Sequence, residues 1–75
     1  METIGQRAAY AIKLHGIRLG TNAVGESDRL DIPRDNFYAW KNGRSDPSAY
    51  YLKKMVLAGY DVLWILTGKE NKNDN

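Results

Sequence analysis

The 75-residue chain contains no cysteine. Disulfides and thiolate zinc sites are therefore excluded, and an ordinary apolar core must hold so short a chain. No apolar run approaches the roughly 18 residues of a membrane-spanning helix. No basic start precedes an apolar stretch and a cleavage site, so no secretory signal is expected and the cytoplasm is the expected compartment. Alternation with period two is missing over any useful length, which argues against a sheet. Histidine occurs once, at His15. A lone histidine on an amphipathic helix is read as a packing residue, since chemistry needs a second partner. No His/Asp/Glu set has metal-ligand spacing. Gly16 and Gly20 fit no nucleotide-binding fingerprint, and Asp28 and Asp31 read as residues of a solvated face. The expectation is a protein without catalytic residues, metal, cofactor or small-molecule substrate, and not an enzyme.

Hydrophobic residues make up 43% of the chain and charged residues 27%, as in ordinary globular domains. Two tryptophans, five tyrosines and a phenylalanine are too many aromatics for a disordered chain. Net charge is +2, a weak lean toward an anionic partner. Its distribution says more. Arg7, Lys13 and Arg18 oppose Glu2, and Arg34, Lys41 and Arg44 oppose Asp35. Between these basic groups, Glu26, Asp28 and Asp31 oppose Arg29.

The punctuation predicts helices throughout. Thr3 and Gln6 fit a capping box. Ile4, Ala8, Ala11, Ile12 and His15 follow at helical spacing, and Gly16 is expected to end this helix. Ile17 and Leu19 are expected to tuck the connection onto the core. Thr21 or Asn22 caps a short second helix ending near Leu30, with Ala23, Ser27 and Leu30 on one face. Pro33 opens a third helix, Arg34 to Asn42, with Phe37 and Trp40 inward and Gly43 as its stop. Asp46 is expected to cap a fourth helix that begins at Pro47 and runs to about Ala58. Its inward residues are Tyr51, Leu52, Met55, Val56 and Ala58, and Gly59 closes it. Asp61 caps a fifth, Val62 to Thr67, ended by Gly68 and anchored by Leu63, Trp64 and Leu66. The domain is expected over 1–68, and the polar residues 69–75 read as a disordered tail or linker stub.

The stretch 21–45 carries the functional reading. A short helix, a tight turn at Asp31-Ile32 and a second helix make a helix-turn-helix. Such a unit must project its second helix into a major groove about 12 Å wide while the first braces it. Ser27 supplies a small residue at the crossing; Leu30, Ile32, Phe37 and Trp40 supply the docking surface. Arg34, Asp35, Tyr38 and Lys41 remain pointing outward, with Ala39 partly out.

Phe37-Tyr-Ala-Trp-Lys-Asn-Gly43 followed by Pro47-Ser48 resembles the W-x-N-G…P-S signature of the lambda-repressor-like helix-turn-helix proteins. Asp61-Val-Leu-Trp-Ile-Leu-Thr-Gly68 resembles the ending of the phage repressor (Cro-like) group within them. The resemblance covers roughly residues 4–68. It implies an all-α, five-helix bundle that binds double-stranded operator DNA as a homodimer, with base contacts from Arg34, Asp35, Tyr38 and Ala39. Backbone contacts would come from Asn22, Lys41, Asn42, the Gly43 main chain and Arg44. Arginine pairs bidentately with guanine, and aspartate accepts from cytosine N4. The departures are specific. Asp31 replaces the turn glycine, and Ser27 the usual alanine. Glu26 stands at an apolar position that is buried if the register holds. Pro33 replaces a capping serine, leaving the cap to Asp31. Lys41 replaces an acidic residue.

Helix 62–67 is almost wholly apolar, and so short a helix cannot bury every side. One of Val62, Trp64 or Ile65 is expected to lie exposed at a two-fold dimer interface. The expected function is transcription regulation, with repression of a phage or prophage promoter by occlusion of polymerase. The protein is either a small repressor complete in itself or the DNA-binding half of a longer one. The competing readings are an antitoxin-type protein-interaction module and an activator of the same fold.

Overall fold

A computed structural model describes residues 3–69, and all regular structure among them is helical. The helices are α1 (Ile4–Arg18), α2 (Ala23–Arg29), α3 (Arg34–Lys41), α4 (Ala49–Leu57) and α5 (Val62–Thr67). None is long and apolar enough to cross a membrane. Of the expected tail 69–75, all but Lys69 lies outside the described residues.

The long helix α1 is the spine and packs against α2, α3 and α5. Thr3 Oγ1 accepts from Gln6 N at 2.9 Å and the Gln6 side chain accepts from Thr3 N, closing the expected capping box. Ala8, Ala9 and Ile12 form its inner stripe. They meet Leu30, Ile32, Phe37, Trp40, Met55, Tyr60 and Ile65 in one buried cluster. From the outer side Arg7 Nε donates to the Ile65 carbonyl at 2.7 Å, tying α5 to the spine.

Helix α1 runs past Gly16 to Arg18, so the expected stop lies one turn too early. Gly16 is buried inside the helix, where an added Cβ would lie 2.5 Å from the Asn22 carbonyl oxygen. It is small because the start of α2 lies against it. The longer helix also carries Ile17 and Leu19 outward, to 57% and 58% exposure, rather than onto the core.

Helices α1 to α4 end alike. The residue after each C-cap has positive φ and donates to the carbonyl three residues back, and the next N–H reaches the carbonyl five back. The left-handed residues are Gly20, Asp31, Gly43 and Gly59. Asp31, at φ 61°, is the non-glycine among them; aspartate is among the side chains that tolerate this region best.

Two expected caps fall elsewhere. Asp46 does not cap α4; its Oδ1 accepts from Gly5 N at 2.8 Å and serves the first turn of α1 instead. Helix α4 starts after Ser48, without a side-chain cap. Asp31 does not cap α3 either. Pro33 is the N-cap residue there and makes no side-chain bond, while Asp31 faces Lys54 Nζ at 3.8 Å. Lys54 also donates to the Leu30 and Asp31 carbonyls, placing a cation at the C-terminus of α2.

Met55 is the buried residue of α4 and Ile65 that of α5. Val56, Leu63 and Leu66, expected as inward or anchoring residues, are exposed.

Candidate nucleic-acid interface

Asn22 sets the first boundary of the interface. Its side chain accepts from Gly25 N at 2.8 Å and caps α2, and Asn22 itself is exposed. Between α2 and α3 the chain turns through Leu30, Asp31, Ile32 and Pro33. Ser27, wholly buried, locks this turn from both sides. Its hydroxyl donates to the Ile32 carbonyl at 2.9 Å, and Ile32 N donates to the Ser27 carbonyl at 2.9 Å. Leu30 and Ile32 are buried beside it. The angle between α2 and α3 is thus fixed by hydrogen bonds and by packing.

On α3, Phe37 and Trp40 are 3% and 1% exposed, and the Trp40 ring meets Tyr51 edge-on at 5.6 Å. That anchorage turns Arg34, Asp35, Tyr38 and Lys41 to the outside, all of them exposed; Ala39 is half-buried. Asn42, Gly43 and Arg44 follow, also exposed. Lys41 Nζ lies 6.0 Å from the centre of the Tyr38 ring. A groove of about 630 Å³ runs between α1, the start of α2 and α3, and Asn22, Tyr38, Lys41, Tyr10 and Lys13 border it. Of the expected contact residues, Asn22, Tyr38 and Lys41 therefore share one groove, with Tyr10 and Lys13 of α1 on its wall.

Arg34 is not free of partners. Its Nη2 lies 2.9 Å from Asp28 Oδ2 and its Nε 3.3 Å from Asp28 Oδ1, a two-point pair across the turn between exposed side chains. The hydrogen bonds from Arg34 hold the Asp28 carboxyl below its ordinary range.

On the opposite side of α2, Glu26 is fully buried. Arg29 Nε and Nη2 donate to its two oxygens at 2.7 and 2.8 Å, and Tyr60 Oη donates to Oε2 at 2.6 Å. The bonds from Arg29, with that from Tyr60, hold the Glu26 carboxyl below its usual value against the cost of burial. Burial, reinforced by the bond to Glu26, pushes the Tyr60 hydroxyl well up. His15 stacks on Tyr60 with ring centres 3.8 Å apart and an interplanar angle of 12°. Burial lowers its pKa, partly opposed by Glu26. Sequence reasoning placed Glu26 at a buried position but missed its partners. Arg29, three residues on, was legible from spacing; Tyr60, thirty-four residues away, was not.

The expected dimer residues fare unevenly. Ile65 is fully buried and unable to meet a second copy, while Val62 and Trp64 are half-buried. The apolar residues exposed at this end are Leu63 and Leu66 of α5 with Val56 and Leu57 of α4. Among the described residues no cluster of three His, Asp or Glu side chains suits a metal ion.

Compared with known protein families, with curated proteins and with solved structures, the chain matches none.

Proposed function

We propose that the protein is a sequence-specific, DNA-binding transcription regulator of the lambda-repressor-like helix-turn-helix class, with α2 and α3 as its reading unit. One observation carries the reading. A short helix is anchored inward by Phe37 and Trp40, fixed to its predecessor by the Ser27–Ile32 bonds, and left with an outer face of Arg34, Asp35, Tyr38 and Lys41. Arginine and aspartate suit base edges in a major groove, and lysine with the Asn22 helix start suits phosphates. The burial of Glu26 agrees with the register of the resemblance. The acting form would be a homodimer on a palindromic operator, repressing by occluding polymerase. The exposed Val56, Leu57, Leu63 and Leu66 supply the apolar surface such a dimer needs. The same apolar surface supports the second reading, an antitoxin-type module that binds another protein; co-purification at fixed stoichiometry would favour it.

Selection of bound duplexes from a random library tests the proposal. The expected product is an inverted repeat with half-site centres about 10–10.5 base pairs apart. Recovery of random sequence after repeated rounds would overturn it.

A further inference from the structure

The pair formed by Asp28 and Arg34 joins the outer ends of two helices across the turn. A guanidinium has two donor edges. Arg34 spends the edge made by Nε and one N–H of Nη2 on Asp28. The other edge, Nη1 with the second N–H of Nη2, has no hydrogen-bond partner among the described residues. That free edge has the two parallel donors that match O6 and N7 of guanine. Arg34 lies in the first turn of α3 and is 62% exposed along its side chain. An unpaired arginine there would sample many rotamers and lose that freedom on binding a base.

We infer that Asp28 is a positioning residue for base recognition, holding Arg34 by one edge so that the other is presented ready-aimed to guanine. This rests on the reading of α3 as the recognition helix. Asp28 stands on α2 and touches no base itself; it acts through Arg34. The two residues thus behave as one reading element built from both helices. Their relative placement is fixed by the turn that Ser27 locks. Without Asp28 the guanidinium still carries its charge and still attracts DNA, but its direction is no longer set. The loss should therefore fall on discrimination and spare general affinity.

The experiment measures binding of full-length protein to four duplexes that differ at the one base pair per half-site where Arg34→Ala loses preference. Fluorescence anisotropy at fixed salt supplies the ratios. Wild type is expected to prefer guanine. Asp28→Asn should bind all four duplexes at least as well as wild type does its weak ones, because a negative charge is removed. Its preference for guanine should fall about five- to tenfold, within the range one bidentate base contact supplies. Asp28→Glu, which can still pair with Arg34, should recover part of that preference. In an Arg34→Ala background, Asp28→Asn should leave every ratio unchanged. Thermal melts should match wild type, since both side chains are exposed.

A guanine preference that survives Asp28→Asn would overturn the positioning role while leaving the DNA-binding reading intact. So would a preference that sharpens, which would make Asp28 a restraint on Arg34. Wild-type protein that discriminates among no duplexes would instead overturn the DNA-binding reading, and this inference with it.

Discussion

Helix α2 carries two carboxylates on opposite sides, each gripped by an arginine: Glu26 by Arg29 of the same helix and Asp28 by Arg34 of α3. On the inner side Arg29 grips Glu26 with two bonds, and the carboxylate is fully buried with Tyr60 as a third partner. On the outer side Arg34 grips Asp28 with two bonds, and both side chains are open to water. A buried carboxylate that loses its donors has nowhere to rehydrate, so the inner group holds the fold together. An exposed pair exchanges its bonds for water at little cost, so the outer one contributes direction more than stability. Burial, rather than bond geometry, separates a structural pair from one that can serve recognition.

The largest effect should come from breaking the inner group. Glu26→Ala leaves the buried Tyr60 hydroxyl without its acceptor and opens space behind α2. It should lower unfolding free energy by about 1–3 kcal/mol, read by urea denaturation. Asp28→Ala should leave the urea midpoint near that of wild type. Equal losses from the two would collapse the distinction.

Next is the removal of both buried partners together. Glu26→Leu with Tyr60→Phe replaces a desolvated polar group by apolar packing of similar volume. It should regain most of what Glu26→Ala loses, as buried ion pairs replaced in this way often do. A double variant less stable than Glu26→Ala would mean that the network contributes more than the sum of its desolvated parts.

Stability should also respond to pH through the inner group. His15 is held below its ordinary 6.5, so the unfolded chain takes up a proton first and stability falls as pH drops through about 6.5. Glu26 is held below its ordinary 4.5, so its contribution is present above that value and is lost as pH falls further, through its folded value. Tyr60 is held up, so its contribution is present below 10.0 and is lost at high alkalinity. Melting midpoints across pH 3–7 should therefore fall in two stages. The Glu26→Leu, Tyr60→Phe variant should show a smaller lower stage, with the exposed Asp28 still held down by Arg34.

A smaller effect concerns Gly16. Its added Cβ would crowd the Asn22 carbonyl, so Gly16→Ala should displace the start of α2; about 1–3 kcal/mol of overpacking, less about 1 kcal/mol gained in helix propensity, leaves a net loss below that of Glu26→Ala. Wild-type stability in a thermal melt would show that α2 yields freely.

Local chemistry was legible in the sequence, and contacts between distant residues were not. Thr3, Asn22 and Asp61 act as caps because a cap reaches backbone two or three residues away. Asp46 looked like a cap for α4 on the same grounds, but a donor forty-one residues upstream claimed it. Gly16 and Gly20 stand one turn apart, and either could end α1. Gly20 takes the left-handed turn that ends it, while Gly16 lacks a side chain because α2 lies against it. Helix α5 is six residues with almost no polar position, so no pattern could say that Ile65 is inside and that Leu63 and Leu66 are outside. In the candidate interface the outward face of α3 was readable from Phe37 and Trp40. That Arg34 is already engaged was not, because Asp28 lies across the turn on another helix.

The central claim is that α3 reads bases through Arg34 while Lys41 meets the phosphate backbone. Its most direct test compares Arg34→Ala with Lys41→Ala on the selected operator and on unrelated duplex, over a range of salt. On the proposed reading, a dimer neutralising about 4–8 phosphates, wild type should show a log–log salt slope of about −4 to −7. Arg34→Ala should cost about tenfold or more on the operator and little on unrelated DNA, relaxing preference at one base pair per half-site. Lys41→Ala should weaken both duplexes alike and reduce the slope by about 1 per subunit. Two variants that weaken both duplexes equally, with base preference intact, would contradict the account.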